Sequence, residues 1–361
     1  MKGKHIQNES DQLWINQLTK EVNEVIEQEK SKWIFYVVAK FIFYLFGSVL
    51  FYSLFFVAES EAFFIGSYIL YGIFAFLLAL NFAHDCAHDS LFRSQKLNKS
   101  LFFFLFSLLG ADAGAWRERH LKAHHFAPNV DGYDSDLSVT ILFRITPDSP
   151  YKKYHQWQFI YAPILYSTYS FFWIFLKDFT LLYRERKQRK WTQIMSFGIT
   201  KTLYFFFSLG LPLFFAKVSI GFVLLGFIAM HLTQSLLLLF TFLISHHVEG
   251  TSYPRINEDE QIEVSWIRNQ VISSNDVHPF SWLANFIFGG FNNHVAHHLF
   301  PSTHHFYYRK MNKVIYRRIQ EKQWPISKTT FMGGIASHIR LLWDLGKKIN
   351  SDKSADILPN S

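Results

Sequence analysis

The stretch AFFIGSYILYGIFAFLLALNFAHDCAH, residues 62–88, decides the fold. From Ala62 to Phe82 it carries no charge and is long enough to cross a bilayer as a helix. It then runs directly into His84-Asp85-Cys86-Ala87-His88. A spacing of four residues sets both imidazoles on one helix face, where they reach the same ion. Two further clusters share this character: His120-Leu121-Lys122-Ala123-His124-His125 and His294-Val295-Ala296-His297-His298. A structural zinc site closes with four ligands, so eight imidazoles suit two ions with open positions better than one zinc.

Composition agrees with a membrane setting. Half the residues are hydrophobic and 41 are Phe, which excludes an ordinary soluble enzyme. The net charge of +8 comes largely from Lys and Arg flanking apolar runs, so bilayer orientation and anionic headgroups explain it without nucleic acid. Cys86 is the single cysteine, which excludes an intramolecular disulfide, a zinc ribbon or an iron–sulfur cluster. Residues 1–32 are polar and acid-rich, and read as a cytoplasmic segment without a signal peptide.

Working outward, four spans are expected at about 33–57, 62–82, 194–215 and 220–244. Ala58-Glu59-Ser60-Glu61 joins the first two without Lys or Arg, whereas Lys30, Lys32, Arg93, Lys96 and Lys99 flank the far ends. The second pair is joined near Lys217 and preceded by Arg184, Arg186, Lys187, Arg189 and Lys190. By the positive-inside rule both pairs are hairpins with cytoplasmic termini. Lys201, inside the third span, is expected to snorkel toward the basic side. Residues 101–115 and 157–176 are also apolar. A crossing at 157–176 would put the third cluster on the opposite side from the first two, so both stretches read as interfacial helices. The expectation is an all-α integral membrane protein: four transmembrane helices in two hairpins, interfacial helices, and a cytoplasmic helical cap carrying the metals. The membrane domain would cover 33–349, with a disordered tail at 350–361.

A lone histidine on an apolar helix is usually a satisfied core residue, and His5, His155, His231, His278 and His338 take that reading. Three clusters on one side of a membrane do not, because packing has no reason to gather so many imidazoles. Haem would leave most of them idle, and a two-zinc hydrolase needs fewer. A histidine-rich two-iron centre fits best.

With these residues on the page, the chain resembles the membrane-bound fatty acid desaturases and hydroxylases, whose signature is three such boxes in this order. Within that superfamily it looks most like bacterial front-end, linoleoyl-CoA-like acyl desaturases. Supporting stretches are Asn292-Asn293-His294 through Pro301, Asp131-Gly132-Tyr133-Asp134-Ser135-Asp136, His246-His247-Val248-Glu249, and Ile262 through Trp266 leading to Gln270-Val271. The likeness covers roughly residues 35–345. It implies His84, His88, His120, His124, His125, His294, His297 and His298 as iron ligands. It adds His246, which matches a ninth family histidine after the fourth span. His294 stands where front-end members usually carry Gln. No His-Pro-Gly-Gly haem motif of a fused cytochrome b5 domain occurs, so electrons are expected from a separate donor, a ferredoxin or a cytochrome b5-like protein.

The activity implied is oxygen-dependent introduction of a double bond into a fatty acyl chain carried on coenzyme A, acyl carrier protein or an intact lipid. Two iron ions are the cofactor and dioxygen the co-substrate, with the chain held in an apolar tunnel among Phe-rich spans. The setting implied is a bacterial inner membrane with the metal site cytoplasmic. Asp85 and Asp89 beside the first box, Asp134 and Asp136 after the second, and Glu249 after His246 are candidates to orient imidazole N–H groups. The bland reading of the same residues is capping and turn formation. Cys86 reads as a small apolar residue. Arg117, Arg119, Lys122, Arg309, Lys310, Arg317 and Arg318 are candidates to receive an anionic headgroup or an acidic donor. Two alternatives stay open: a lipid or fatty acyl hydroxylase on the same scaffold, and a multi-histidine membrane metal transporter. The transporter would place ionisable residues facing one another within the spans.

Overall fold

The computed structural model describes residues 4–137 and 141–347, so the tail expected at 350–361 lies outside the described residues. The protein is mostly helical. Among the described residues, four helices are long and apolar enough to cross a membrane: Glu9–Phe56, Glu61–Ala87, Trp191–Phe215 and Ile220–His246. A sharply broken pair, Lys153–Tyr166 and Tyr169–Glu185, would be a fifth span if counted as one. Residues 101–115 form parts of two helices, Gln95–Ser107 and Ala113–Arg119. The chain divides into two compact units, one of Met1–Trp33, Glu118–Pro163 and Phe240–Ser361, the other of Ile34–Arg117 and Ile164–Leu239.

In the second unit, aromatic side chains do most of the packing. Phe55, Phe64, Tyr68 and Tyr71 form one core with Tyr204, Val223, Phe227 and Met230. Phe55 and Tyr68 stack with ring centroids 3.9 Å apart. A Cβ at Gly72 would lie 2.6 Å from the Met230 side chain, so only glycine lets these two helices approach this closely. The short connections of the two helix pairs meet through Lys217 and Glu59, 2.9 Å apart.

Lys201 does not snorkel. It is 5% exposed, and its Nζ donates to Asp178 Oδ2 at 2.8 Å and to the carbonyls of Gly110 and Ile174 at 2.6 and 3.0 Å. Asp178 also accepts from Trp173 Nε1 at 2.9 Å and from the Asp112 backbone N–H at 2.8 Å. Three oxygen acceptors around the ammonium make burial affordable where a reach to the interface would forfeit them. His231, likewise within a span, bridges Ser170 Oγ at 2.9 Å and Tyr204 OH at 2.8 Å, the satisfied core histidine expected of it.

The first unit holds the polar chemistry. Its N-terminal helix starts at Glu9, well before the apolar run. Trp14, Leu18 and Val22, each four apart, are buried against Val271, Val295, Leu299, Met311 and Ile315. The acidic flank of this helix meets the basic Tyr308–Glu321 helix: Glu21 pairs with Arg317 and Arg318, and Glu29 with Lys310. Three of the basic residues considered for a headgroup or donor are therefore engaged within the fold.

Two buried histidines make this unit acid-sensitive. Burial pushes His247 down to about 3 and His338 down to about 4, from an ordinary 6.5. Both rings are neutral when folded and free to bind protons once unfolded, so stability is intact above pH 6.5 and declines as pH falls toward 4. For His338 alone the loss is about 3 kcal/mol at the acid end, at ~1.4 kcal/mol per unit. Melting followed in detergent from neutral to acid pH is expected to fall over this window, and a flat profile would contradict the assignment.

Candidate metal centre

The third box is held by its surroundings before any metal is considered. Gly289 and Gly290 both adopt positive φ, 57° and 89°. A Cβ on Gly290 would meet His305 Cβ at 2.5 Å, so the turn that launches the box requires glycine. The short helix His294–Leu299 follows. Its Val295 N–H donates to Asp276 Oδ1 at 2.9 Å, and Asp276 Oδ2 accepts from Tyr316 OH at 2.7 Å and Asn312 Nδ2 at 3.3 Å. Burial outweighs these donors and pushes the Asp276 carboxyl up to about 6.

The second box is not an α-helix. His120–His124 is a π-helical turn, closed by His125 N–H donating to His120 O at 3.1 Å. This i to i+5 geometry brings His120 Nε2 within 3.2 Å of His125 Nε2, a pair that ordinary helical spacing would separate. His125 Nε2 also lies 3.0 Å from His297 Nε2. His246 closes the Ile220–His246 helix. Its backbone is tied down by Asn129 Nδ2, which donates to His246 O at 3.0 Å and to Ser252 O at 3.1 Å.

The hydrogen bonds made by Nδ1 fix which nitrogen of each ring is free. His246 Nδ1 donates to Ser273 O at 2.8 Å, an acceptor only, so His246 Nε2 is bare. His298 Nδ1 faces Gln270 Oε1 at 2.8 Å, and His124 Nδ1 faces Asp134 Oδ2 at 3.1 Å. Burial works against charge at both His124 and Asp134. Their mutual attraction prevails, raising the His124 pKa and, with the Asn129 and Asp136 N–H groups, bringing Asp134 down to about 2. His294 Nε2 lies 2.6 Å from His246 Nε2, and His298 Nε2 lies 3.1 and 3.2 Å from those two. The Nε2 atoms left bare on His246 and His298 lie 3.2 Å apart, and lone pairs at such spacing repel unless a proton or a cation lies among them. One ligand atom each from His124, His246, His294 and His298 falls within 4.8 Å of the others, and the same holds for His125, His297 and His298. This donor set fits divalent iron held by neutral imidazoles.

In the other unit, His84 and His88 are buried, with ring centroids 4.9 Å apart. A π-helical turn, Ala79–Ala83, leads into the first box. Asp85 Oδ1 accepts from Ser90 Oγ at 3.3 Å. The partner roles expected of Asp89 and Glu249 go elsewhere: Asp89 pairs with Arg117 at 3.2 Å, and Glu249 accepts from Ser337 and Arg340 at 2.9 and 2.8 Å. Asp136 lies 3.8 Å from His124 and is partly exposed, so Asp134 is the carboxylate that orients the ring. His247, next to His246, turns its Nδ1 to Tyr253 OH at 3.0 Å. Gln270, Asn129 and Asp276 were not singled out as site residues. Gln270 falls in a stretch that carries the resemblance, while Asn129 and Asp276 had no such signal; Asn269 to Asp276, polar apart from Val271 and Ile272, is more than nine-tenths buried throughout.

Removing the Asp134 charge tests this arrangement. Asp134→Asn is expected to lower ferrous-iron affinity ~10–100-fold while leaving the helical content unchanged. Titration of the metal-free protein with ferrous iron reads this directly, and wild-type affinity would contradict an orienting role.

A family model described as fatty acid desaturase matches residues 61–330. Curated relatives include an acyl-lipid (8-3)-desaturase of Physcomitrium patens, 30% identical over 285 residues, covering 76% of this chain and 59% of the relative. An acyl-lipid (8-3)-desaturase of Mortierella alpina is 29% identical, covering 77% of this chain and 64% of the relative. An sn-1 linoleoyl-lipid 6-desaturase of Synechocystis sp. is 27% identical, covering 74% and 77%. The chain spans less than two thirds of the Physcomitrium and Mortierella proteins. With three quarters of its length inside the match, the chain belongs to the fatty acid desaturase family.

Proposed function

We propose that this protein is an oxygen-dependent fatty acyl desaturase that introduces a double bond into an acyl chain, with two iron ions held by His84, His88, His120, His124, His125, His246, His294, His297 and His298. The observation that carries the reading is the convergence of Nε2 atoms from His246, His294 and His298, with the Nδ1 partners of His246 and His298 leaving their Nε2 atoms free for a metal. The family membership supports the acyl substrate. The names of relatives acting on acyl-lipids make an intact lipid the favoured carrier. For His84 and His88 the support is their spacing and the family signature.

An unactivated methylene C–H bond is beyond any side-chain acid or base. The iron centre, when bound, supplies with dioxygen the oxidising power that removes two hydrogens from adjacent methylenes. The balance is two substrate hydrogens, two donor electrons and two protons reducing dioxygen to two waters. The chain's own residues do the positioning. Ser273, Gln270 and Asp134 hold the imidazole rings by Nδ1, and the packed helices keep the boxes dry. Electrons are proposed to come from a separate acidic protein, a ferredoxin or a cytochrome b5-like donor. Both termini and the metal site are proposed to face the cytoplasm of a bacterial inner membrane; the contact of Lys217 with Glu59 supports hairpins that point the same way.

Expression in a bacterial host, followed by gas chromatography–mass spectrometry of total fatty acids, tests the function. A new unsaturated species is expected. A hydroxylated species would replace desaturation by hydroxylation on the same scaffold.

A further inference from the structure

The proposed ligands are all imidazoles, and a neutral imidazole brings no charge to offset a divalent ion. Two such ions would leave the site strongly cationic unless carboxylates stand close behind it. Asp134 is one, set behind His124. Asp136, 3.8 Å from His124, is partly exposed, and Asp276 is a further candidate in the same unit that belongs to neither the boxes nor the family signature. It is fully buried. Its oxygens are met by the Val295 N–H, the Tyr316 hydroxyl and the Asn312 amide, all of them neutral donors. Asn312 also donates to Asn293 Oδ1 at 2.6 Å, and Asn293 donates to Asn285 Oδ1 at 2.8 Å. The carboxylate thus sits at the head of a buried chain of amides that passes through Asn293, the residue before His294, and ends at Asn285. The Asn275–Val277 strand carrying it is itself paired with Ser327–Thr329. Every feature fixes the charge in place, and no cation of the chain pairs with it among the described residues.

We infer that Asp276 is a positioning residue of the metal centre: it pins the amino end of the third box through Val295 and supplies the buried negative charge that compensates the ions held by His294 and His298. A carboxylate used only to shape a turn would not need full burial among neutral donors, where its charge is costly to keep. Beside a dicationic centre that cost is offset. The inference rests on the iron assignment above.

Two variants of the full-length protein, purified and loaded with iron, separate the possibilities. Asp276→Asn keeps the shape and removes the charge. Ferrous affinity is expected to fall ~10–100-fold, and the midpoint potential of the centre to rise, because the more highly charged ferric state loses more. Each tenfold loss of ferric relative to ferrous affinity corresponds to ~59 mV for one electron. At pH 9, well above the carboxyl's value of about 6, so that it stays ionised when a donor is lost, Tyr316→Phe keeps the charge and removes one donor to it, so the carboxylate is less neutralised and the potential is expected to move the other way. Opposite shifts support the inference; a purely structural role would loosen the site in both variants and shift both in one direction. Unchanged potentials in iron-loaded variants would overturn the inference while leaving the iron assignment intact. Should Asp276→Asn not fold, a downward shift in Tyr316→Phe supports the proposal and an unchanged or upward one overturns it. Failure of the wild-type protein to bind iron would instead overturn the reading on which the inference rests.

Discussion

Replacing His298 with alanine is expected to abolish iron loading and acyl desaturation while leaving the protein folded and membrane-inserted. His298 contributes to two of the histidine groups, one with His124, His246 and His294, the other with His125 and His297. Among the described residues, no other histidine belongs to both of these groups. Its Nε2 is 3.1 Å from His294 Nε2 and 3.2 Å from His246 Nε2. Loss of this ring removes a donor and leaves a hole among groups arranged around a cation. The loss should exceed the ~10–100-fold that an outlying partner such as Asp134 costs. Iron content by elemental analysis and fatty acid profiles from the same cells read both consequences. Residual turnover near the wild-type rate would show that the ligand set is wrongly assigned.

The largest expected effect on stability lies away from the metal. Lys201→Met should destabilise the protein by ~3–5 kcal/mol, because Asp178 is left buried with its charge uncompensated. Lys201→Met combined with Asp178→Asn should recover much of that loss, since removing both charges costs far less than stranding one. Thermal melting of the single and double variants in detergent gives the comparison. A single variant as stable as the wild type, or a double variant as weak as the single, would contradict a charge-paired role for Lys201.

Much of this architecture could be read from the residues, and what could not has identifiable physical causes. The apolar runs and the three boxes are strong signals because bilayer thickness and metal coordination each demand a narrow pattern. The bracing of the boxes was less visible. Helical spacing of three and four explains His294 with His298, but not His120 with His125, which meet only because a π-helical turn inserts a residue. No propensity rule marks such a turn in advance. Lys201 read as a surface-seeking cation since its partner, Asp178, lies in an unrelated stretch of chain. Trp14, Leu18 and Val22 did carry a legible four-residue stripe, masked by the mostly polar residues between them. Asp134 was a candidate on position alone. Asp276 was invisible, because nothing in a single sequence distinguishes a buried carboxylate from a turn residue.

The paired Lys201 and Asp178 also bear on the transporter alternative, which requires ionisable groups facing one another within the spans. Here the pair is locked by Gly110 O, Ile174 O, Trp173 and the Asp112 backbone, a structural knot rather than a path. Family membership points the same way.

The central claim is that histidine-held iron removes two hydrogens from an acyl chain. Its most direct test is mass spectrometry of the acyl product formed by the purified, iron-loaded protein, given a lipid with a deuterated chain, dioxygen and a reduced ferredoxin. The account predicts a product that has lost two hydrogens or deuteriums from adjacent carbons and gained no oxygen, with none formed after iron is removed. A product carrying one added oxygen, or the same yield from iron-free protein, would contradict it.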